Sequence, residues 1–217
     1  MIGKRILTAG LAWAALTQAA AAHPHVFIEI RDKIVFDGDG RIAGVKVSWT
    51  FDEFYTLWAL EGLDTNQNGV YDEPELKTLA TDNVTNLKDY SYFTYATIDG
   101  QAVTFGDVLD YGITYENEML TLHMVLPLTA PADPHAVKFA FKTFDPSFYI
   151  AMDLARKEPI AFEGAAPEGC GFQIDEPNAN PDGIVFSDTL ANLPEYQNFG
   201  AQFAQNVRIV CAKQGEG

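Results

Sequence analysis

The sequence predicts a β-sandwich with a helix–loop–helix inserted after its second strand. Three observations point there. Short runs of alternating apolar and polar residues recur along the chain, separated by tight-turn residues. One stretch, 51–88, carries helical spacing on both sides of a polar loop. There is no strand–helix–strand alternation, phosphate loop or internal repeat, which sets aside a doubly wound α/β build.

The chain opens with Lys4 and Arg5, an apolar run over 6–16, and Ala20-Ala21-Ala22. This is the pattern of a secretory signal peptide, residues 1–22, cleaved after Ala22. The run is too short to span a bilayer, and no later stretch would span one. Cleavage leaves 195 of the 217 residues, read as one periplasmic domain over 23–217. Loss of Lys4 and Arg5 takes the formal net charge from −16 to −18. Such acidity argues against nucleic-acid binding and favours cations near the surface. Two cysteines, Cys170 and Cys211, suggest one disulfide in an exported protein. It would close a loop of about 40 residues and stabilise by roughly 4 kcal/mol on the chain-entropy picture. Two separate buried thiols are the alternative.

Strands are predicted over 26–36 and 42–50, joined by the hairpin signal Asp37-Gly38-Asp39-Gly40. The helical insertion follows at about 51–88. Thr50 and Glu53 have the spacing of a capping box for its first helix, with Trp49 stapling onto Phe54. Further strands are expected at 92–98, 102–105, 109–115, 119–126, 137–144, 160–162, 172–174 and 207–211. A short amphipathic helix is expected over 192–205, carrying Tyr196, Phe199 and Phe203 and capped by Asn192 and Glu195.

The insertion contains Asp64-Thr65-Asn66-Gln67-Asn68-Gly69-Val70-Tyr71-Asp72-Glu73-Pro74-Glu75. This fits the twelve-residue EF-hand loop that binds Ca²⁺. Asp64, Asn66 and Asn68 supply positions one, three and five. Gly69 sits at the sharp turn of position six. Val70 contributes its carbonyl, Asp72 reaches the ion through water, and Glu75 is the bidentate ligand. Asp72 and Glu75 also suit N-cap and N3 of the following helix, and Pro74 suits its first turn. Two of the six positions are neutral amides, so affinity is expected in the weak extracellular range, roughly 10⁻⁴ to 10⁻³ M. A lone loop suits a structural clamp better than a sensor. A polar turn between helices is the competing reading.

Cleavage after Ala22 would make His23 the first residue, followed by Pro24 and His25. An α-amine and two imidazoles offer lone pairs near neutral pH. In an extended chain His23 and His25 project to one side. Pro24 has no amide proton to lose, so a site here uses side chains and the amine. His123, opposite in phase to Leu120, Leu122 and Met124, is a candidate third ligand for Zn²⁺, Ni²⁺ or Cu²⁺. A frayed terminus and a solvated strand histidine are the competing readings. His135, beside Pro134, reads as loop surface, and Asp52 and Glu53 as capping residues. The sequon Asn83-Val84-Thr85 falls inside a predicted helix and carries no weight. No serine or cysteine has an identifiable base, so no enzymatic activity is expected.

Several of these segments together resemble one family. They are His23 to Ile28 after the signal, Trp49 to Glu53, the calcium loop with Leu63 and Leu76, and Leu120 to His123. Phe144-Asp145-Pro146-Ser147-Phe148-Tyr149, Gly169-Cys170 and the ending from Gly200 to Ala204 and on to Cys211 complete the set. The pattern resembles the bacterial periplasmic domain-of-unknown-function 1007 family, described as a periplasmic component of an ABC-type transport system. The resemblance implies a role beside an inner-membrane nickel, cobalt or zinc permease. It identifies no metal ligands, so the histidine reading rests on the residues. The expectation is a metal-binding accessory protein with a structural Ca²⁺. The alternatives are a copper histidine-brace oxidase using His23 and His123, and a calcium-stabilised interaction module without transition-metal function.

Overall fold

The computed structural model describes residues 24–177, 179 and 198–212. Within them two β-sheets face each other across one apolar core. The centre of the first sheet is β3 (Ile42–Phe51). Along one edge it pairs antiparallel with β7 (Met119–Ala132), which in turn pairs with β6 (Leu109–Glu116). Along its other edge lie β1 (Val26–Ile30) and β2 (Asp32–Phe36) in succession. These are the predicted strand 26–36, interrupted at Arg31. Outside them, β9 (Ile150–Leu154) runs parallel to β1 and β10 (Ile160–Gly164) parallel to β2. The second sheet has the order β11 (Cys170–Asp175), β12 (Asn206–Cys211), β8 (Phe139–Thr143), β4 (Thr94–Ile98), β5 (Gln101–Val103).

Alternation builds the core. Val45, Val47, Trp49 and Phe51 of β3 and Leu120, Leu122, Met124 and Leu126 of β7 turn inward. Phe139 and Phe141 of β8 with Val207 and Ile209 of β12 meet them from the second sheet. The disulfide between Cys170 and Cys211 joins directly opposed residues of β11 and β12.

The inserted hairpin is present as α1 (Glu53–Leu60) and α2 (Glu73–Leu87). Its entry differs from the predicted one. Thr50 remains in β3, opposite Thr121, and Asp52 is the N-cap, its Oδ1 accepting from Tyr55 N–H at 3.0 Å. Trp49 is buried beneath the sheet near Phe93, whereas Phe54 is exposed, so no staple forms. The physical reason is alternation: Thr50 occupies an outward strand position, and the helix begins only after Phe51 completes the inward series. Asp52 Oδ2 also accepts from Phe27 N–H at 2.7 Å, tying the start of α1 to β1. Deeper in, Thr56 is fully buried and its Oγ1 accepts from Leu120 N–H at 3.2 Å. Tyr71 and Tyr115 meet edge to face between the hairpin and β6.

Three other expectations change. β9 was not predicted at all. The strand predicted from 92 begins at Thr94, because Ser91, Tyr92 and Phe93 take left-handed backbone angles that no strand accommodates. Of the predicted C-terminal helix, 192–197 lie outside the described residues, and the described part contains a single 3₁₀ turn, Phe199–Gln202.

At the Arg31 interruption, Ser48 N–H donates to Asp32 Oδ1 at 3.2 Å, and Asp32 is 1% exposed. Burial pushes the Asp32 carboxyl up from 3.8 to about 8, the Ser48 hydrogen bond opposing only part of the rise. The folded chain therefore keeps a proton that the unfolded chain has released, and Asp32's contribution to stability declines as pH rises from 3.8 to about 8. Asp32→Asn keeps an acceptor for Ser48 and cannot titrate. Its urea-unfolding free energy, relative to wild type, should climb by up to about 1.4 kcal/mol per pH unit across that window. Parallel pH profiles would show that Asp32 titrates normally in the fold. Separately, Asp52→Ala should cost about 1–3 kcal/mol in the same assay, because it removes a helix cap and leaves Phe27 N–H without its acceptor. Asp52→Asn should recover part of that loss, and an unchanged midpoint for the alanine variant would show the tie to be idle.

Candidate metal centres

The loop between α1 and α2 is folded by its own side chains. Asp64 Oδ1 accepts from Asn68 N–H at 3.1 Å and its Oδ2 from Gly69 N–H at 2.9 Å. Asn66 Oδ1 accepts from Asn68 N–H at 3.0 Å, and Asn68 Oδ1 from Val70 N–H at 2.7 Å. Gln67 and Gly69 take positive φ of 58° and 79°, and this reversal brings positions one, three and five together. The amide groups of Asn66 and Asn68 both donate to Asp72 Oδ2, at 2.7 and 3.0 Å. Val70 exposes its side chain, so its carbonyl is what it has to offer.

Glu75 closes the loop. Its Oε2 accepts from Asp72 N–H at 3.0 Å, and its Oε1 from Thr65 N–H and Oγ1, both at 2.8 Å. The Asp72 N–H first, and then the Thr65 hydroxyl, hold this carboxyl below its ordinary range. Glu75 thus stays ionised, caps α2 from N3, and joins the first half of the loop to the second. The donor set of Asp64, Asn66, Asn68, Val70, Asp72 and Glu75 is all oxygen and carries three carboxylates. It suits a hard divalent ion and would disfavour a soft one.

The histidines are dispersed. His23 lies outside the described residues. His25 is exposed at the rim of the first sheet, where its N–H donates to Tyr149 O at 2.8 Å and its ring lies 4.8 Å from that of Tyr149. Tyr149 is positioned by the turn before it. Buried Asp145 accepts from Ser147 N–H and Oγ and from Ile150 N–H, and Phe148 packs on Phe199 and Phe203. A shallow cavity of about 410 Å³ is lined by Phe27, Glu29, Asp52, Met119, Asp153 and Arg156, among others. Burial, and then the charge of Glu176, raise the Asp153 carboxyl.

His123 points to the outer face as expected, its ring against Gly112, where a Cβ would come within 3.0 Å of it. It is not brought to His25. The register puts His123 opposite Ser48, and Ser48 beside Arg31, whose N–H it accepts. His25 lies six residues before Arg31, roughly 20 Å along the strand. That separation is too long for His25 and His123 to share an ion. The expected set of His23, His25 and His123 is corrected on this ground where it joined His25 to His123. The sequence reading of His135 also changes. It is half-buried against the Cys170–Cys211 disulfide, and its Nδ1 is shielded from solvent with no hydrogen-bond partner in the structure. The Asp52 tie and the buried Asp32 were missed too, although the inward phase of 26, 28, 30, 34 and 36 passes through position 32.

Among the described residues no helix is long and apolar enough to cross a membrane. A Haemophilus influenzae protein, named only as uncharacterized, is 26% identical over 201 residues, covering 88% of this chain and 91% of its own length. The family model described as protein of unknown function, DUF1007, matches residues 8–211, nearly the whole sequence and all the segments on which the resemblance was drawn from position 23 onward. The chain belongs to the DUF1007 family.

Proposed function

We propose that this chain is an exported, periplasmic accessory protein of a divalent transition-metal transport system, stabilised by Ca²⁺ in the loop from Asp64 to Glu75. The observation that carries the calcium part is the convergence of Asp64, Asn66, Asn68 and Asp72 in a loop closed by the ionised Glu75. On binding, the Asn66 and Asn68 amides turn to present oxygen, and the ion replaces their N–H groups as the partner of Asp72. Transition-metal capture is assigned to the amine and ring of His23 with the ring of His25, and His123 takes no part. The transport role rests on the family resemblance, and the permease is its proposed partner.

One observation favours a second reading, a calcium-stabilised interaction module. Phe54, Leu57 and Trp58 of α1 are 84%, 61% and 70% exposed, an apolar face on a short helix. That module would bind no transition metal at its N-terminus.

Ca²⁺ binds the folded chain and should raise its Tm, by an amount that grows with Ca²⁺ concentration. Glu75→Gln should abolish the shift and also the Tb³⁺ emission sensitised by Tyr71 or Trp58. A full Ca²⁺ shift in that variant would place the ion elsewhere. For the N-terminus, calorimetric titration of Zn²⁺, Ni²⁺ and Cu²⁺ into correctly cleaved, Ca²⁺-saturated protein should show binding that one added residue before His23 weakens. Affinity should fall on acidification, because protons compete with the metal for the same lone pairs. Equal weak binding by wild type, the extended form and His23→Ala/His25→Ala protein would reject metal capture and leave the module.

A further inference from the structure

At the far edge of the second sheet, a nitrogen of His135 and the sulfurs of Cys170 and Cys211 all lie within 4.8 Å of one another. The fold holds them there by contacts that do not involve the S–S bond. Strands β11 and β12 pair over six positions, from Cys170 opposite Cys211 to Asp175 opposite Asn206. Arg208 clamps Asp175 through Nε at 2.6 Å and Nη2 at 2.8 Å, and Asn206 Nδ2 donates to Asp175 Oδ2 at 3.1 Å. The other edge of β12 pairs with β8, so the loop entering β8 passes beside Cys211. Asp133 shapes that loop: its Oδ1 accepts from His135 N–H at 2.9 Å, and its carbonyl from Ala136 and Val137 N–H at 3.0 and 3.1 Å. All three side chains are half-buried, which leaves them open to small reagents. His135 Nδ1 is shielded from solvent and is committed to no hydrogen bond in the structure.

We propose that reduction of this disulfide creates a metal site in which Cys170, Cys211 and His135 bind a zinc-class divalent ion through two thiolates and one imidazole. The donors are soft or borderline, and three protein ligands leave a fourth tetrahedral position open. This is the opposite chemistry to the oxygen loop, and the proposal does not rest on that loop or on the N-terminal histidines. The reductant is a dithiol, such as a reduced C-x-x-C protein. It gives two electrons and two protons to the S–S bond, which breaks into two thiols, and it leaves as its own disulfide. Metal binding then releases both thiol protons, so the divalent ion is neutralised by two thiolates. Side-chain rotation parts the sulfurs to the roughly 3.7 Å that tetrahedral bonds of about 2.3 Å require. Reoxidation expels the ion, since a disulfide offers no thiolate.

The test uses the full mature chain, saturated with Ca²⁺, reduced with a phosphine that is removed before metal is added. One equivalent of Co²⁺ should produce the near-ultraviolet thiolate-to-cobalt charge-transfer band and strong tetrahedral d–d absorption, and Zn²⁺ should bleach both. Oxidised protein should lack the charge-transfer band, whatever binds at His25, because only thiolates give it. His135→Ala keeps the disulfide for folding and, once reduced, should bind at least about ten-fold more weakly. Near-ultraviolet circular dichroism monitors the fold throughout. The proposal is overturned by a folded reduced chain without the band or by His135→Ala binding as tightly as wild type. It is equally overturned by a reduced chain that unfolds and that metal does not restore.

Discussion

The hydrogen-bond ladder along both edges of β3 is the interaction on which the rest of the structure depends. Among the described strands β3 alone meets β1, β2 and β7, and its inward residues Val45, Val47 and Trp49 are essentially inaccessible. A strand paired on both edges has little freedom to shift, because a slip of one residue would turn every one of those side chains to the outer face. The chain leaves β3 at Phe51 and enters α1 after a single residue, so the direction of the helical hairpin is inherited from the strand. Asp52 and Thr56 fix that inheritance by hydrogen bonds to β1 and β7. The oxygen-lined loop therefore follows a helix whose start is tied to two strands of the first sheet.

The same ladder explains the interruption at Arg31. One β3 edge serves two strands in turn, and at the junction Ser48 N–H faces a side chain rather than a backbone carbonyl. A short acceptor is needed there, and Asp32 supplies it from the inward phase. The carboxyl is then deep in the core, with Oδ2 unpartnered, and remains protonated.

Much of this was legible from residue order. Leu120, Leu122 and Met124 against His123 is a period-two pattern that only a strand with one buried face satisfies, and the loop from Asp64 to Glu75 is legible because its ligands are local. What failed was non-local or coincidental. Thr50 and Glu53 have capping-box spacing because an outward strand residue happens to stand three before a first-turn acid. β9 has both Ala151 and Met152 buried, so it shows no alternation, and it exists because β1 has an edge to fill. His123 and His25 share a sheet but not a neighbourhood, a separation set by register. His135 reaches the cysteines only through the pairing of β12 with β8, which no spacing in the sequence announces.

The parallel pairing of β1 with β9 bears on the order in which the molecule assembles. Val26 pairs with Ile150, so the first strand of the domain waits for most of the chain to appear before its outer edge is covered. Until then the hairpin of β2 and β3 can close on its own, but β1 presents a row of free amides and carbonyls beside exposed Phe27. The turn that delivers β9, with Asp145 at its base and Phe148 on top, is itself gripped by Phe199 and Phe203 from the end of the chain. Completion of the first sheet is thus coupled to arrival of the last segment, a high-contact-order arrangement that slows closure. During that interval the nascent edge is the molecule's point of vulnerability to intermolecular strand pairing.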